Sequence, residues 1–244
     1  MCRVDEVRHA VLAKNQSLAD ELRDELRGRG VTLVNMLSSP GSGKTALLEA
    51  LLTMAVADGV PVAAVTADLA TENDAVRLAR SGAPVRQVRT GGLCHLEVPQ
   101  LRGHVDGWLP HGVRLLFVEN VGNLVCPSSY DLGEKIRITL MSVTEGEDKP
   151  SKYPDAFGLA NLVVLTKTDL ADAVGFDRDA FLRNVERVNP GVPVLETSAR
   201  TGSGVRALWH VVGRTPDQEA AHQPVMAALR PPDGGHRHAA AHHH

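Results

Sequence analysis

The segment from Val31 to Val56 constrains the fold of this chain more than any other. Val31-Thr-Leu-Val-Asn-Met-Leu37 is short, apolar and β-branched, as a buried strand is. Ser38-Ser-Pro-Gly-Ser-Gly-Lys-Thr45 follows, and Ala46 to Val56 then reads as a helix stopped at Gly59. A strand, a glycine turn ending in Gly-Lys-Thr and a helix N-terminus form the G-x-x-x-x-G-K-[ST] phosphate loop, with Ser38 in place of the first glycine. Gly41 and Gly43 let successive N–H groups turn toward one anion, and the helix N-terminus adds positive potential. Lys44 supplies a full charge and Thr45 a hydroxyl for Mg²⁺. Pro40, Gly41, Ser42, Gly43, Lys44, Thr45 and Ala46 are therefore the predicted phosphate-binding residues, and the ligand is a nucleoside triphosphate.

The rest of the chain reads as strands alternating with helices. Strands are expected at 61–66, 84–88, 113–118, 135–143, 161–165 and 192–195, and helices near 71–80, 177–188 and 203–212. A further helix is expected to begin between Leu93 and Leu101, with Pro99 blurring its start. The charged stretch 144–150 reads as a loop. This order predicts an α/β fold of the P-loop NTPase type, a mostly parallel sheet with helices on both faces. Before it, apolar residues at Val4, Val7, Val11, Leu18, Leu22 and Leu26, interrupted near Asn15, predict an amphipathic helix packed on the sheet. The expected organisation is an N-terminal helix over 1–30, the nucleotide-binding domain over 31–213 and a flexible tail over 214–244. A short helix is conceivable over 220–229. The tail ends in His236, His238 and His242 to His244, either a native metal-collecting sequence or the remains of a tag; if native, its removal lowers the protein's metal content.

A net charge of −3 gives no electrostatic case for nucleic-acid binding. No apolar run approaches the ~18–20 residues that cross a bilayer, and no secretory segment is evident, so the expected location is the cytoplasm.

In a doubly wound sheet ligands sit beyond the carboxyl ends of the strands, and the remaining chemistry falls there. Asp68 and Glu119 end two strands and, with Thr45, are the expected Mg²⁺ residues; Lys44, Thr45, Asp68 and Glu119 form the expected catalytic set. Glu119-x-x-Gly122 stands where GTPases carry D-x-x-G, whose glycine N–H senses a γ-phosphate. Asn123 replaces the water-orienting glutamine of Ras-like enzymes, which predicts slow intrinsic hydrolysis. Thr166-Lys-Thr-Asp169 is like N-K-x-D. Asp169 can accept from guanine N1–H and N2–H₂, Lys167 can cover the base, and Thr166 departs from the usual Asn. Ser198 and Ala199 stand where an S-A element contacts the base. Four elements in order favour GTP over ATP.

Cys94-His95 and Cys126 are thiol and imidazole groups on loops at the same end. Such residues suit Zn²⁺ or Ni²⁺, leaving a site incomplete or completed by a second subunit. From the residues alone, buried inert thiols remain an equal reading. The Cys126 loop continues directly from Glu119-x-x-Gly122, so a γ-phosphate sensed there can change metal affinity.

The run Glu119-Asn-Val-Gly-Asn-Leu-Val-Cys-Pro-Ser-Ser-Tyr-Asp-Leu-Gly-Glu134, with the phosphate loop, Cys94-His95 and Ser142 to Pro150, closely resembles the HypB family, from about residue 8 to residue 212. The resemblance implies a GTP-hydrolysing nickel chaperone that assists nickel insertion into [NiFe]-hydrogenase. It implies Cys94, His95 and Cys126 as Ni²⁺ or Zn²⁺ ligands near a GTP-dependent homodimer interface. It also implies as partners a HypA-like metallochaperone and the [NiFe]-hydrogenase large subunit precursor. The family's N-terminal C-x-x-C-G-C motif is not matched; only Cys2 lies near the start, so no tight N-terminal nickel site is expected. The urease GTPase UreG is the nearest alternative, but it is expected to carry Cys-Pro-His where this chain has Cys126-Pro127-Ser128. Other readings are a non-enzymatic nickel or zinc storage protein, a metal-free switch and a small-molecule kinase.

Overall fold

The strands run Thr32–Ser38 (β1), Val62–Asp68 (β2), Val85–Arg89 (β3), Leu115–Glu119 (β4), Ile136–Ser142 (β5), Leu162–Thr166 (β6) and Val194–Glu196 (β7). They form one sheet in the order β3-β2-β4-β1-β5-β6-β7, and every pairing is parallel. The computed structural model describes residues 3–68, 73–214 and 222–228, without the side chains of residues 3–10, 68 and 228. β1 lies between β4 and β5, so the chain turns one way after β1 and the other way after β4. The crevice at that reversal opens at the carboxyl ends of the central strands.

Burial on both faces explains the unbroken apolar runs. In β1, Val34 and Met36 face the core made with α2 (Lys44–Ala57) and α9 (Val205–Arg214). Leu33 faces the opposite core, with α1 (Arg3–Gly28) and α4 (Val98–Val105). Leu37 joins a third cluster, beside α6 (Pro154–Gly158) and α8 (Arg178–Val188). The period of two expected of a strand assigns each residue to its layer.

The N-terminal helix forms as expected, and among its described side chains the core is met by the second half. Ala19, Leu22 and Leu26 are buried, whereas Val11 is exposed; the Val4 and Val7 side chains lie outside the described residues. The interruption at Asn15 has a cause: its amide nitrogen donates to the Asp131 carbonyl at 2.8 Å. Gly133 approaches α1 so closely that a Cβ would stand 2.7 Å from the Ala19 carbonyl oxygen, at φ +82°. Only glycine fits there.

The helix expected to begin between Leu93 and Leu101 begins at Val98, after Gln100 accepts the Glu97 N–H at 3.1 Å, so Cys94 and His95 lie on an irregular turn. The strand expected over 135–143 forms as β5, with all seven of its residues buried. One expectation is corrected. The charged stretch 144–150 is structured rather than a loop. A 3₁₀ turn over Val143–Glu145 precedes α5 (Lys149–Lys152), and Glu145 pairs Lys149 at 2.9 Å.

The helices α3 (Asn73–Ala79), α7 (Ala171–Val174) and α10 (Val225–Ala228) complete the described set. The helix conceivable over 220–229 is thus seen as α10, a single turn. His222 just before it accepts from Asn161 through its carbonyl at 3.0 Å. The histidines from His236 onward lie outside the described residues.

Candidate functional site: a phosphate loop joined to a thiol–imidazole cluster

β1 ends at Ser38 and α2 begins at Lys44, so the intervening loop delivers the helix N-terminus to the crevice. Gly41 and Gly43 have φ of +73° and +91°, the conformations that let the loop curl round an anion. The loop, Glu119, Gly122 and Lys167 surround a cavity of about 430 Å³, into which Asp74 and Arg77 of α3 also face.

Glu119, at the end of β4, is only 2% exposed. Its Oε1 accepts from the Thr45 hydroxyl at 2.6 Å and lies 3.6 Å from Lys44 Nζ. Its Oε2 is buried without a hydrogen-bond partner. A hydroxyl and a carboxylate converging on the phosphate cavity, with one oxygen uncommitted, form a hard-oxygen pair of the type Mg²⁺ takes. Asp68 ends β2 as expected, but its side chain lies outside the described residues.

A second cavity of about 470 Å³ adjoins the first through Gly43, Ala46 and Lys167, and is lined by Asp169, Ser198 and Ala199. Thr166, the departure from N-K-x-D, has a clear task. Its hydroxyl donates to the Ser42 carbonyl at 2.5 Å, tying β6 to the phosphate loop. Lys167 holds φ +56°, a left-handed conformation that throws its side chain across the loop to donate to the Gly41 carbonyl at 2.6 Å. Asp169 accepts from Ser198 Oγ at 2.5 Å and from Arg200 Nε at 2.9 Å. The Ser198 hydrogen bond, seconded by Arg200, holds its carboxyl below the ordinary value. Arg200 was not legible as a site residue, because it lies one position beyond the Ser-Ala pair.

The thiol–imidazole cluster is built against the same edge. Cys94 Sγ lies 3.7 Å from His95 Nδ1, and hydrogen bonding with the Cys126 thiol, then burial, raises the Cys94 thiol above its usual value. His95 is buried and stacked on Tyr130, with ring centroids 4.0 Å apart. Its Nε2 is 3.3 Å from Glu97 Oε1 in a geometry that makes no hydrogen bond, so this nitrogen is buried and unpaired. Among the described residues no three His, Cys, Asp or Glu side chains close around a single ion. Leu93 and Val125, next to the two cysteines, are exposed apolar side chains.

Asn120, which sequence reasoning gave no role, connects the two centres. It follows Glu119, is 1% exposed, and its side-chain oxygen accepts from Val121 N at 2.9 Å and from Leu96 N at 3.3 Å. The turn carrying Cys94 and His95 is thereby hydrogen-bonded to the segment leading into Gly122. The Asn123 side-chain oxygen accepts from Val125 N at 2.8 Å, shaping the turn before Cys126.

Fold and site together define a P-loop nucleotide-binding protein with two thiols and an imidazole beside the phosphate loop's crevice. A family model described as CobW/HypB/UreG, nucleotide-binding domain, matches residues 32–196. The hydrogenase maturation factor HypB of Rhizobium leguminosarum bv. viciae is 42% identical over 207 residues, 85% of this chain and 69% of its own. HypB of Helicobacter pylori, solved in complex with nickel, superposes with a TM-score of 0.80 at 34% identity, covering 86% of this chain and 99% of that one. HypB of Archaeoglobus fulgidus gives 0.77 at 34% identity, over 84% of this chain and 99% of that one. The chain belongs to the HypB family of hydrogenase maturation factors.

Proposed function

We propose that the protein is a GTP-hydrolysing nickel chaperone that assists nickel insertion into a [NiFe]-hydrogenase. The observation that carries this reading is one continuous segment: Glu119 bonded to Thr45, Asn120 bonded to the turn after His95, then Gly122 and Cys126. Nucleotide state at one end of eight residues is metal geometry at the other. The Helicobacter pylori relative binds nickel in its solved structure, and soft thiolate with imidazole is a donor set that takes Ni²⁺ or Zn²⁺.

In this reading the loop from Pro40 to Ala46 cradles the phosphates, with Lys44 against the β/γ-phosphates. Thr45 and Glu119, with Asp68, hold Mg²⁺, which neutralises developing phosphate charge when bound. Gly122 N–H meets the γ-phosphate. Asp169 exchanges its bonds to Ser198 and Arg200 for the N1–H and N2–H₂ donors of guanine, Lys167 covers the base, and Ser198 and Ala199 complete its pocket. Intrinsic turnover is slow because the Asn123 side chain is committed to the turn before Cys126. The Cys94, His95 and Cys126 set is short of the four ligands usual for a closed structural zinc site. A GTP-dependent homodimer completes or reshapes it, and a HypA-like metallochaperone and the hydrogenase large subunit precursor are the partners in transfer.

The test is nickel affinity by titration with GDP and with a non-hydrolysable GTP analogue, on wild type and Cys126→Ser. The expected result is a nucleotide-dependent affinity in wild type that vanishes in the variant. Equal affinity in all four titrations refutes the coupled chaperone.

A further inference from the structure

Phosphoryl transfer needs positive charge at the γ-phosphoryl oxygens, and the cations of the phosphate cavity are not equally placed to supply it. Lys44 is buried beside Glu119, and Lys167 is spent on the Gly41 carbonyl. The third cation lining the cavity among the described residues is Arg77, from α3. Leu78, fully buried in the core against α2, fixes how that helix sits. Asp74 and Arg77, three residues apart on one helical face, are thereby turned to the cavity.

Arg77 Nε donates to Glu49 Oε2 at 2.6 Å, and the two side chains are 44% and 24% exposed. Glu49 lies on α2 one turn beyond Thr45. A half-exposed pair of this kind is weak, whereas a guanidinium on phosphate oxygens forms a forked, charge-assisted pair. The geometry is that of an arginine held beside the reaction centre by a carboxylate that a phosphoryl group outcompetes.

We propose that Arg77 is a catalytic residue for GTP hydrolysis, leaving Glu49 to bind γ-phosphoryl oxygens as charge spreads in the transition state. This rests on the GTPase reading above. The water oxygen bonds to the γ-phosphorus, and the β–γ bridging P–O bond breaks with its electron pair passing to GDP. The water proton leaves on the released phosphate. The guanidinium stays charged throughout and exchanges no proton.

The experiment measures single-turnover GTP hydrolysis, GDP affinity, and trapping of GDP with aluminium fluoride, a transition-state mimic, in wild type, Arg77→Ala, Arg77→Lys and Glu49→Gln. An arginine supplied from within the same chain separates GTPases by a factor of tens in intrinsic rate, roughly 20–30-fold, so a loss of about that size is expected in Arg77→Ala. GDP affinity should stay within about threefold, because GDP lacks the contacted group. Aluminium fluoride trapping should be lost in Arg77→Ala and partly kept in Arg77→Lys. Glu49→Gln, which frees the arginine, should hydrolyse at least as fast as wild type. Arg77→Ala with wild-type hydrolysis and trapping overturns the proposal and leaves the GTPase reading intact. A wild-type protein that hydrolyses no GTP overturns both.

Discussion

Arg137, the second residue of β5, is 4% exposed, far from where an arginine is expected. It pairs Glu134 Oε1 through Nε at 2.7 Å and through Nη2 at 2.6 Å, and both side chains are 5% exposed. It also donates to the Ser128 carbonyl at 2.8 Å and the Tyr130 carbonyl at 3.0 Å, just beyond Cys126. Arg137→Met keeps the bulk and removes five donors. Glu134 then keeps only Leu132 N at 2.7 Å and Asn35 Nδ2 at 3.3 Å, with its charge still buried. Breaking a buried pair from one side costs about 3–5 kcal/mol, a large part of the ~5–15 kcal/mol that holds a domain together. At ~2–4 °C per kcal/mol for a chain of this size, the melting temperature should fall by about 6–20 °C. Arg137→Met with Glu134→Leu removes both charges and should recover more than half the loss, because the desolvation cost goes too. Urea unfolding of the two variants and wild type measures this. A single variant within about 1 kcal/mol of wild type, or a double variant no more stable than the single, would refute the argument that charge pairing rather than side-chain volume holds this segment.

Two further outcomes follow from the same geometry. A Cβ on Gly122 would stand 3.1 Å from Pro40 Cα and 3.2 Å from Pro40 N, both backbone atoms with little room to move. Gly122→Ala should therefore weaken GTP-analogue binding roughly tenfold, by ~1–3 kcal/mol of overpacking, with an unchanged circular dichroism spectrum; unchanged affinity would show that the two segments separate freely. Asp131 is pulled two ways: burial raises its carboxyl, but Arg23, Arg137 and the Gly133 N–H outweigh that and hold it below the ordinary value. A depressed folded pKa gives stability that is present above the unfolded value of about 3.9 and lost as pH falls through the folded one. The stability gap between wild type and Asp131→Asn should thus be constant above about pH 5 and narrow as pH falls below the unfolded value of about 3.9, read from urea midpoints at each pH; a gap that stays flat through that range assigns the effect to shape rather than charge.

How much of this was legible in the sequence depended on whether a residue acts locally or across the fold. The phosphate loop, the succession of strands and helices along the chain and the Thr166-Lys-Thr-Asp169 element are local signals, in which a few neighbouring residues contain their own reason. Thr166 looked like a defect only because its partner, the Ser42 carbonyl, is 124 residues away and no local pattern records it. Asn15, Asn120 and Arg137 were opaque for the same cause: each is a polar residue at a buried position, and its acceptor or donor lies on another element. In the proposed switch, those long-range polar bonds would carry the coupling between the two sites. The Cys126 loop is bonded to β5 by Arg137, to α1 through Asp131 and Asn15, and to the phosphate-sensing segment through the backbone from Gly122. Two of these ties are anchored in buried structure, and the third runs from Gly122, which lines the phosphate cavity. In the proposed switch, a nucleotide signal would move Cys126 against that frame while the Cys94–His95 turn follows the segment to which Asn120 bonds it. On that proposal, relative motion of the two turns, rather than loosening of either, is expected to change metal affinity.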